Sequence, residues 1–309
     1  MSDKKIEILW TGGFDSTFML CLLARTKSAV IQPYYLDIKR SIQKDEHRAI
    51  REIMKVLRKK KDLKAKILPV KFVKQEYFVP FDDVVKALEK YAGKPYVVGG
   101  QQRFIAEFSK THKGICWGHE RYLDKPGHIT QLFLDKANWK FTEDGVGYFT
   151  KEDCDPDVFT LFGNLTCPVA SYSEPMMWEK IQEWGYEDVF EHICFCYYPI
   201  DGKPCGSCLP CNLKLTYKMD FLFAEEALNR HRIYQDLLKI KENLGVRNPL
   251  DMATCFNLYV NPLFKKDYLE KLERKSFIFE NNVLIEISKE DVERNIDLYK
   301  DYFDSLLKK

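Results

Sequence analysis

No apolar run in the chain approaches the ~20 residues needed to cross a bilayer as a helix. This excludes an expected membrane helix. Nor is there a leader pattern, because Met1-Ser2-Asp3-Lys4-Lys5 leads straight into a short apolar strand. A cytoplasmic protein is therefore expected. A charge excess is missing too: 48 Lys and Arg stand against 46 Asp and Glu, a net charge of +2. That balance gives no whole-molecule field for nucleic acid, which is not an expected partner. The local run Arg58-Lys59-Lys60-Lys61 reads as a solvated helix end whose charge suits the dipole. The 309 residues allow one large domain or a main domain with an appendage.

What is present starts with Ile6 to Ala24. Ile6-Glu7-Ile8-Leu9-Trp10 alternates like a strand, Thr11-Gly12-Gly13-Phe14 turns, and an apolar helix begins at Asp15-Ser16-Thr17. A strand, a glycine turn and a helix start make an anion site, because backbone N–H groups converge there with the positive helix end. The hydroxyls of Thr11, Ser16 and Thr17 add donors, and Asp15 can help hold Mg²⁺. The loop has no Lys, which excludes the Gly-x4-Gly-Lys-Ser/Thr phosphate loop.

Further strands are expected over 29–37 and 65–73, with a helix over about 44–60 between them. This alternation predicts an α/β fold with a doubly wound parallel sheet and ligands at the carboxyl strand ends. Asp37 lies at such an end, as a wall for adenosine. A helix over 81–91, a glycine-rich bend over 96–103, a helix over 104–110 and a strand over 115–117 follow. His119 and Glu120 form the polar tip of that strand and are candidate substrate contacts. Residues 121–165 are the least regular part and read as a substrate cover. Cys167-Pro168-Val169-Ala170 resembles a late strand, and a helix from Ser173 or Glu174 closes at Gly185. From 213 a long helix is expected to 244, then a hairpin with Asn281-Asn282 at its turn and a last helix capped by Ser288 and Asp291.

Cys205, Cys208 and Cys211 stand three apart, with Cys194 and Cys196 upstream. Such steps present thiolates from tight turns, and a more distant cysteine completes a tetrahedron. Clustered cysteines in a reducing compartment point to a metal before disulfides. Four thiolates make a closed structural Zn²⁺ site. Cys196 is the expected fourth ligand, with Cys194 as the alternative and an iron–sulfur cluster or redox pair as the competing readings.

Loop and cysteines together resemble the 7-cyano-7-deazaguanine synthase (QueC) family of PP-loop ATP pyrophosphatases. Thr11-Gly12-Gly13-Phe14-Asp15-Ser16 is similar to that family's Ser-Gly-Gly-x-Asp-Ser, and Cys196, Cys205-Gly206-x-Cys208-x2-Cys211 to its cysteine pattern. The resemblance covers about 6–215 and implies a PP-loop, HUP-like fold. ATP would be held by Thr11, Gly12, Gly13, Asp15, Ser16, Thr17 and Asp37, with Asp15 and Ser16 catalytic. Gln101 and Arg103 sit where the family has a Pro-x-Arg-Asn segment, and Asp153 opens a stretch similar to its Asp-Cys-Arg-Pro. These two stretches join His119 and Glu120 as substrate contacts.

The resemblance implies an ATP-dependent ligase that adenylates a carboxylate, in the parent family 7-carboxy-7-deazaguanine, and joins it to nitrogen. The substrate side departs from the family: Asp155 replaces an Arg, and Glu174 replaces a Lys near the phosphates. About ninety residues are also extra at the C-terminus. Among relatives of this kind, the chain resembles QueC-like proteins that accompany bacterial anti-phage systems. A protein amine recruited through the C-terminal extension is then the expected acceptor, with a homodimer as the other use of that extension. The alternatives are a queuosine-pathway synthase, a tRNA-modifying PP-loop enzyme and a non-catalytic binding module. The expected layout is a nucleotide-binding domain over 1–193 with 121–165 inserted, a zinc module over 194–215 and a helical extension over 216–309.

Overall fold

A computed structural model describes residues 5–91, 100–120, 129–244, 250–273, 278–280, 283–285 and 287–308. The first part of the expected glycine-rich bend, 96–99, and the turns at 125–127 and 281–282 lie outside these residues. The chain divides into two compact units, 1–194 and 195–309. Among the described residues no helix is long and apolar enough to cross a membrane.

The first unit begins with β1 (Lys5–Leu9), α1 (Phe14–Thr26), β2 (Val30–Asp37), α2 (Gln43–Leu57), β3 (Lys66–Ile67) and β4 (Lys71–Lys74). It continues with α3 (Asp82–Glu89), α4 (Gly100–Thr111), β5 (Ile115–Cys116), α5 (Ile129–Lys136), β6 (Lys140–Phe141) and β7 (Gly147–Tyr148). It ends with α6 (Pro156–Phe162), β8 (Leu165–Thr166), α7 (Glu174–Trp184) and α8 (Glu187–Phe190). The sheet runs β3-β2-β1-β5-β8 with β4 also on β2, and every pairing in it is parallel. The chain first winds outward from β1 through β2 and then returns to the other side of β1 at β5. Right-handed crossovers then place helices on both faces, the α/β doubly wound arrangement expected. Leu9, Tyr34, Leu36 and Ile115 bury one sheet face against α3, α4, α5 and α6. On α1, Phe18 is fully buried and stacks on Trp184 of α7, with ring centroids 5.3 Å apart.

Two expectations are corrected in detail. The strand expected over 65–73 is split after the Leu68 N–H, which still donates to the Ile31 carbonyl at 2.9 Å, because Pro69-Val70 leaves the ladder. Pro69 has no N–H to donate. The buried Gln32 of β2 fills the gap, donating from Nε2 to the Pro69 carbonyl at 2.9 Å and to the Pro33 carbonyl at 3.0 Å. The late strand falls at Leu165–Thr166, just before Pro168. The described part of 121–165 forms α5, the β6–β7 hairpin, α6 and β8, and puts Ile129, Leu132, Phe133, Phe149, Val158, Leu161 and Phe162 into the core.

The second unit holds α9 (Leu209–Thr216), α10 (Glu225–Leu244), α11 (Met252–Val260), α12 (Pro262–Glu273), the antiparallel pair β9 (Ile278–Glu280) and β10 (Val283–Ile285), and α13 (Lys289–Leu307). The long helix expected from 213 is interrupted where Lys218 takes a left-handed φ of 58°. Ser288 and Asp291 form the expected capping box. Ile233, Leu237, Phe256, Leu258, Val292 and Phe303 form this unit's apolar core.

Gln32→Leu keeps the volume but removes both donors. It is expected to cost ~1–3 kcal/mol by leaving the Pro69 carbonyl poorly satisfied. Urea denaturation reads the cost, and unchanged stability would show that solvent serves Pro69 equally well.

Candidate functional site

The carboxyl ends of β1 and β5 flank the point where strand order reverses, the crevice in which open α/β sheets bind ligands. After β1 the chain passes Trp10 and Thr11 and turns at Gly12, whose φ of +74° favours glycine. A Cβ there would also come within 3.1 Å of Ala49 on α2. The Gly12 carbonyl accepts from the Cys194 N–H at 2.8 Å, which ties the loop from behind. Gly13 takes the N-cap position of α1 in an extended conformation with no side-chain cap. The first-turn N–H groups of α1 therefore meet the crevice with the positive end of the helix.

The loop is held by its own hydroxyls. The Gly13 N–H donates to Thr11 Oγ1 at 3.3 Å, Ser16 Oγ donates to the Gly13 carbonyl at 3.4 Å, and Thr11 Oγ1 and Ser16 Oγ lie 3.2 Å apart. These contacts are long, and both hydroxyls are part-buried at the loop. Thr17 differs. It is fully buried, and its Oγ1 accepts from the Trp10 indole at 3.1 Å. Its placement makes it an anchor behind the loop.

Opposite the loop, the chain leaving β5 presses Gly118 onto the first turn of α1. A Cβ on Gly118 would lie 2.9 Å from Ser16 Cα and 3.0 Å from Ser16 N, both backbone atoms. This contact brings Glu120 to Asp15. Glu174, the first residue of α7, joins them, and one carboxylate oxygen from each of the three lies within 4.8 Å of the others. Glu120 and Glu174 are buried. Three carboxylates from three elements at a helix N-terminus offer the oxygen ligands a hard divalent cation takes. Asp15 and Glu120 were singled out from the sequence. Glu174 reads in the sequence as a helix start and a departure from a Lys, and nothing in its local sequence signals the convergence.

His119 points into an aromatic setting, stacked on Trp117 at 4.7 Å and edge-on to Phe133 at 5.0 Å. Its carbonyl accepts from Cys167 Sγ at 3.0 Å, and burial pushes that thiol up to about 12. His119 thus braces the loop that carries Glu120. Asp37 ends β2 in register with Lys74. Beyond it, Lys39 turns the chain with a φ of 55°, and Arg40 is forked between the buried Glu46, at 2.7 Å, and Gln101 on α4, at 3.4 Å. Tyr35 donates to the other Glu46 oxygen at 2.6 Å. Sequence reading passed over Arg40, whose one signal was its position after a strand end. Arg103 is paired on its own helix with the buried Glu107 at 2.8 Å. Asp153 is engaged by Thr150 and Lys140, and the Thr150 hydroxyl first and Lys140 second lower its pKa. Asp155 caps α6 and accepts from Tyr91. The structure thus joins Gln101 to Arg40, and Asp15 to Glu120, while Arg103 and Asp153 are occupied by local partners.

In the second unit, Cys196, Cys205, Cys208 and Cys211 are buried, with one sulfur from each within 4.8 Å of the others. Cys196–Cys208 is 3.8 Å, Cys205–Cys211 3.9 Å and Cys208–Cys211 3.4 Å. A tetrahedral ion with metal–sulfur bonds of about 2.3 Å needs sulfur–sulfur edges of about 3.8 Å. The spacing therefore fits one metal ion. A four-iron cluster puts each thiolate on its own iron and spreads the sulfurs farther. Cys194 lies outside this group, beside Gly12. Burial, then the charges of Glu46 and Asp45, push its thiol up to about 12.

No family model matches the chain, and no curated protein does. Among solved structures, the U34-tRNA thiolase NcsA from Methanococcus maripaludis with its 4Fe-4S cluster is similar at 12% identity and a TM-score of 0.35. The match covers 82% of this chain and 78% of that one. A likeness at that level says nothing of this chain's chemistry.

Two substitutions separate loop from anchor. Gly118→Ala is expected to weaken binding of a polyphosphate probe at the loop about tenfold by displacing the first turn of α1. Thr17→Val is expected to leave that binding within about twofold and to cost ~1 kcal/mol of stability through the lost Trp10 hydrogen bond. Titration calorimetry and urea denaturation check both, and the reverse pattern would overturn these assignments.

Proposed function

We propose that the chain is an ATP-dependent ligase of the PP-loop kind, QueC-like in its chemistry, that adenylates a carboxylate and passes the acyl group to nitrogen. The observation that carries this reading is the meeting of the Thr11–Ser16 loop with Asp15, Glu120 and Glu174 at the switch point of the sheet. The N–H groups from Gly13 to Ser16, with the Thr11 and Ser16 hydroxyls, hold the β and γ phosphates. Asp15, Glu120 and Glu174 would hold Mg²⁺, which when bound would offset their own charge and let the triphosphate approach for attack and departure. Glu174, where the family has a Lys, would serve as one of the cation's ligands. Asp37, at the β2 end, walls the adenosine. Arg40, fixed by Glu46 and Gln101, adds a side-chain cation on the same side.

The substrate carboxylate oxygen attacks the α phosphorus, the bond to the bridging α–β oxygen breaks, and pyrophosphate leaves with the electron pair. An amine nitrogen then attacks the acyl carbon, AMP departs, and the nitrogen loses a proton. Positioning and charge neutralisation supply the catalysis. Resemblance in the loop and cysteines supports 7-carboxy-7-deazaguanine as the acid. The added C-terminal unit supports a protein amine as acceptor, in an anti-phage setting. Zn²⁺ on Cys196, Cys205, Cys208 and Cys211 is structural, since four thiolates leave no open position.

Pyrophosphate release is to be measured with ATP, Mg²⁺ and 7-carboxy-7-deazaguanine, with and without ammonium, following the base by mass spectrometry. The expected result is adenylate and pyrophosphate that stall without a protein amine. Conversion to amide or nitrile under ammonium would make it a synthase, and no release with any acid would overturn the ligase reading. Asp15→Asn and Glu174→Gln are each expected to lower the rate ~10²-fold or more, because each removes a carboxylate that would hold the cation.

A further inference from the structure

The cysteine group is not walled by its own loops alone. Its buried cluster includes Phe223 and Ala227, with Leu222 and Leu228 packed against it. Cys205-Gly206-Ser207-Cys208 is the tight turn that aims two of the sulfurs. Gly206 has a φ of +87°, and a Cβ on it would lie 2.1 Å from the carbonyl oxygen of Ala227 on α10. Backbone of the turn therefore lies directly against backbone of the helix. Two carbonyls of the turn, those of Cys205 and Gly206, are taken by side chains of that helix. Arg230 Nε donates to the Cys205 carbonyl at 2.9 Å. His231 Nδ1 lies 3.0 Å from the Gly206 carbonyl and 3.1 Å from Asn212 Oδ1. Two acceptors around Nδ1 place the ring proton there. Asn212, on α9, donates in turn to the Ser207 carbonyl at 3.2 Å and accepts from Gln235 of α10.

We propose that α10 is the outer shell of the metal centre, with Arg230 and His231 as positioning residues that hold the Cys205–Cys208 turn in its ligating shape and offset the charge of the bound thiolates. The inference rests on the reading of the four cysteines as a metal site and goes beyond it in giving the C-terminal extension a role there. A divalent ion in four thiolates leaves two uncompensated negative charges in a buried site, which burial alone makes costly. Three backbone N–H groups address this from inside the turn: Cys205 N–H donates to Cys196 Sγ at 3.2 Å, and the Ser207 and Cys208 N–H groups to Cys205 Sγ at 3.4 and 3.3 Å. The charge of Arg230 acts on Cys205, Cys196 and Cys211 from the helix side. Outer-shell partners of this kind fix ligand orientation and tune affinity.

The test uses the full chain loaded with Zn²⁺, with metal release read by a chromogenic chelator, and with Co²⁺ exchanged in to read the thiolate-to-metal charge-transfer band. Arg230→Met is expected to weaken metal affinity about tenfold and to shift the band, while Arg230→Lys, which keeps the charge, recovers most of the affinity. His231→Phe is expected to speed metal release and His231→Gln to restore it, and this pair decides the matter if Arg230→Met does not fold. Wild type that binds one ion per chain, with variants that keep its affinity within about twofold and its band unchanged, would overturn the role of α10 alone. Wild type that takes up no ion would overturn the metal reading itself.

Discussion

The contact on which the first unit depends is the approach of the chain after β5 to the N-terminus of α1. At Gly118 there is room for a hydrogen and not for a methyl, because Ser16 backbone fills the space. That closeness does three things together. It packs the β5 exit against the first turn of a helix whose N–H groups need partners. It brings Glu120 beside Asp15, so that the start of α1 and a cluster of carboxylates meet at one place. It also fixes the crevice at the point where the sheet reverses its strand order, since β1 and β5 are neighbours there. A side chain at Gly118 would disturb all three.

The second unit is governed by an analogous approach, at Gly206 against Ala227. In both units a glycine lets backbone meet backbone, and charged or thiol side chains are aimed by the contact. The consequence differs. In the first unit three carboxylates converge at the start of α1. In the second, four thiolates close on themselves, and the shell around them comes from a helix of the extension. The extension therefore has a physical reason to be present apart from any partner it recruits.

Much of this was legible in the sequence because it is local. The strand–glycine–helix pattern of Ile6 to Ala24 announces its own geometry, and so do the cysteine steps and the Ser288–Asp291 box. The doubly wound sheet follows from alternation of elements. What was not legible is long-range. Nothing near Glu174 says that it meets Asp15 and Glu120. Arg40 gained meaning only from Glu46 and Gln101, which come from different helices. The break at Pro69 was visible as a residue, yet the apolar run around it outweighed it, and Gln32 supplied the compensation from another strand. Between Cys194 and Cys196, spacing could not choose; the fold did, by tying Cys194 to Gly12. Residues 121–165 read as irregular because their strands and helices are short, although their described apolar side chains fill the core.

The central claim is that the loop and the three carboxylates act as one site for ATP and a divalent cation. Calorimetric titration of the intact protein with ATP, with Mg²⁺ and then with chelator in place of Mg²⁺, tests it most directly when repeated on Glu174→Gln. The account predicts that affinity falls about tenfold or more when Mg²⁺ is withdrawn from the wild type, and that Glu174→Gln loses most of this metal dependence. Equal ATP affinity with and without Mg²⁺, or full metal dependence in Glu174→Gln, would contradict it.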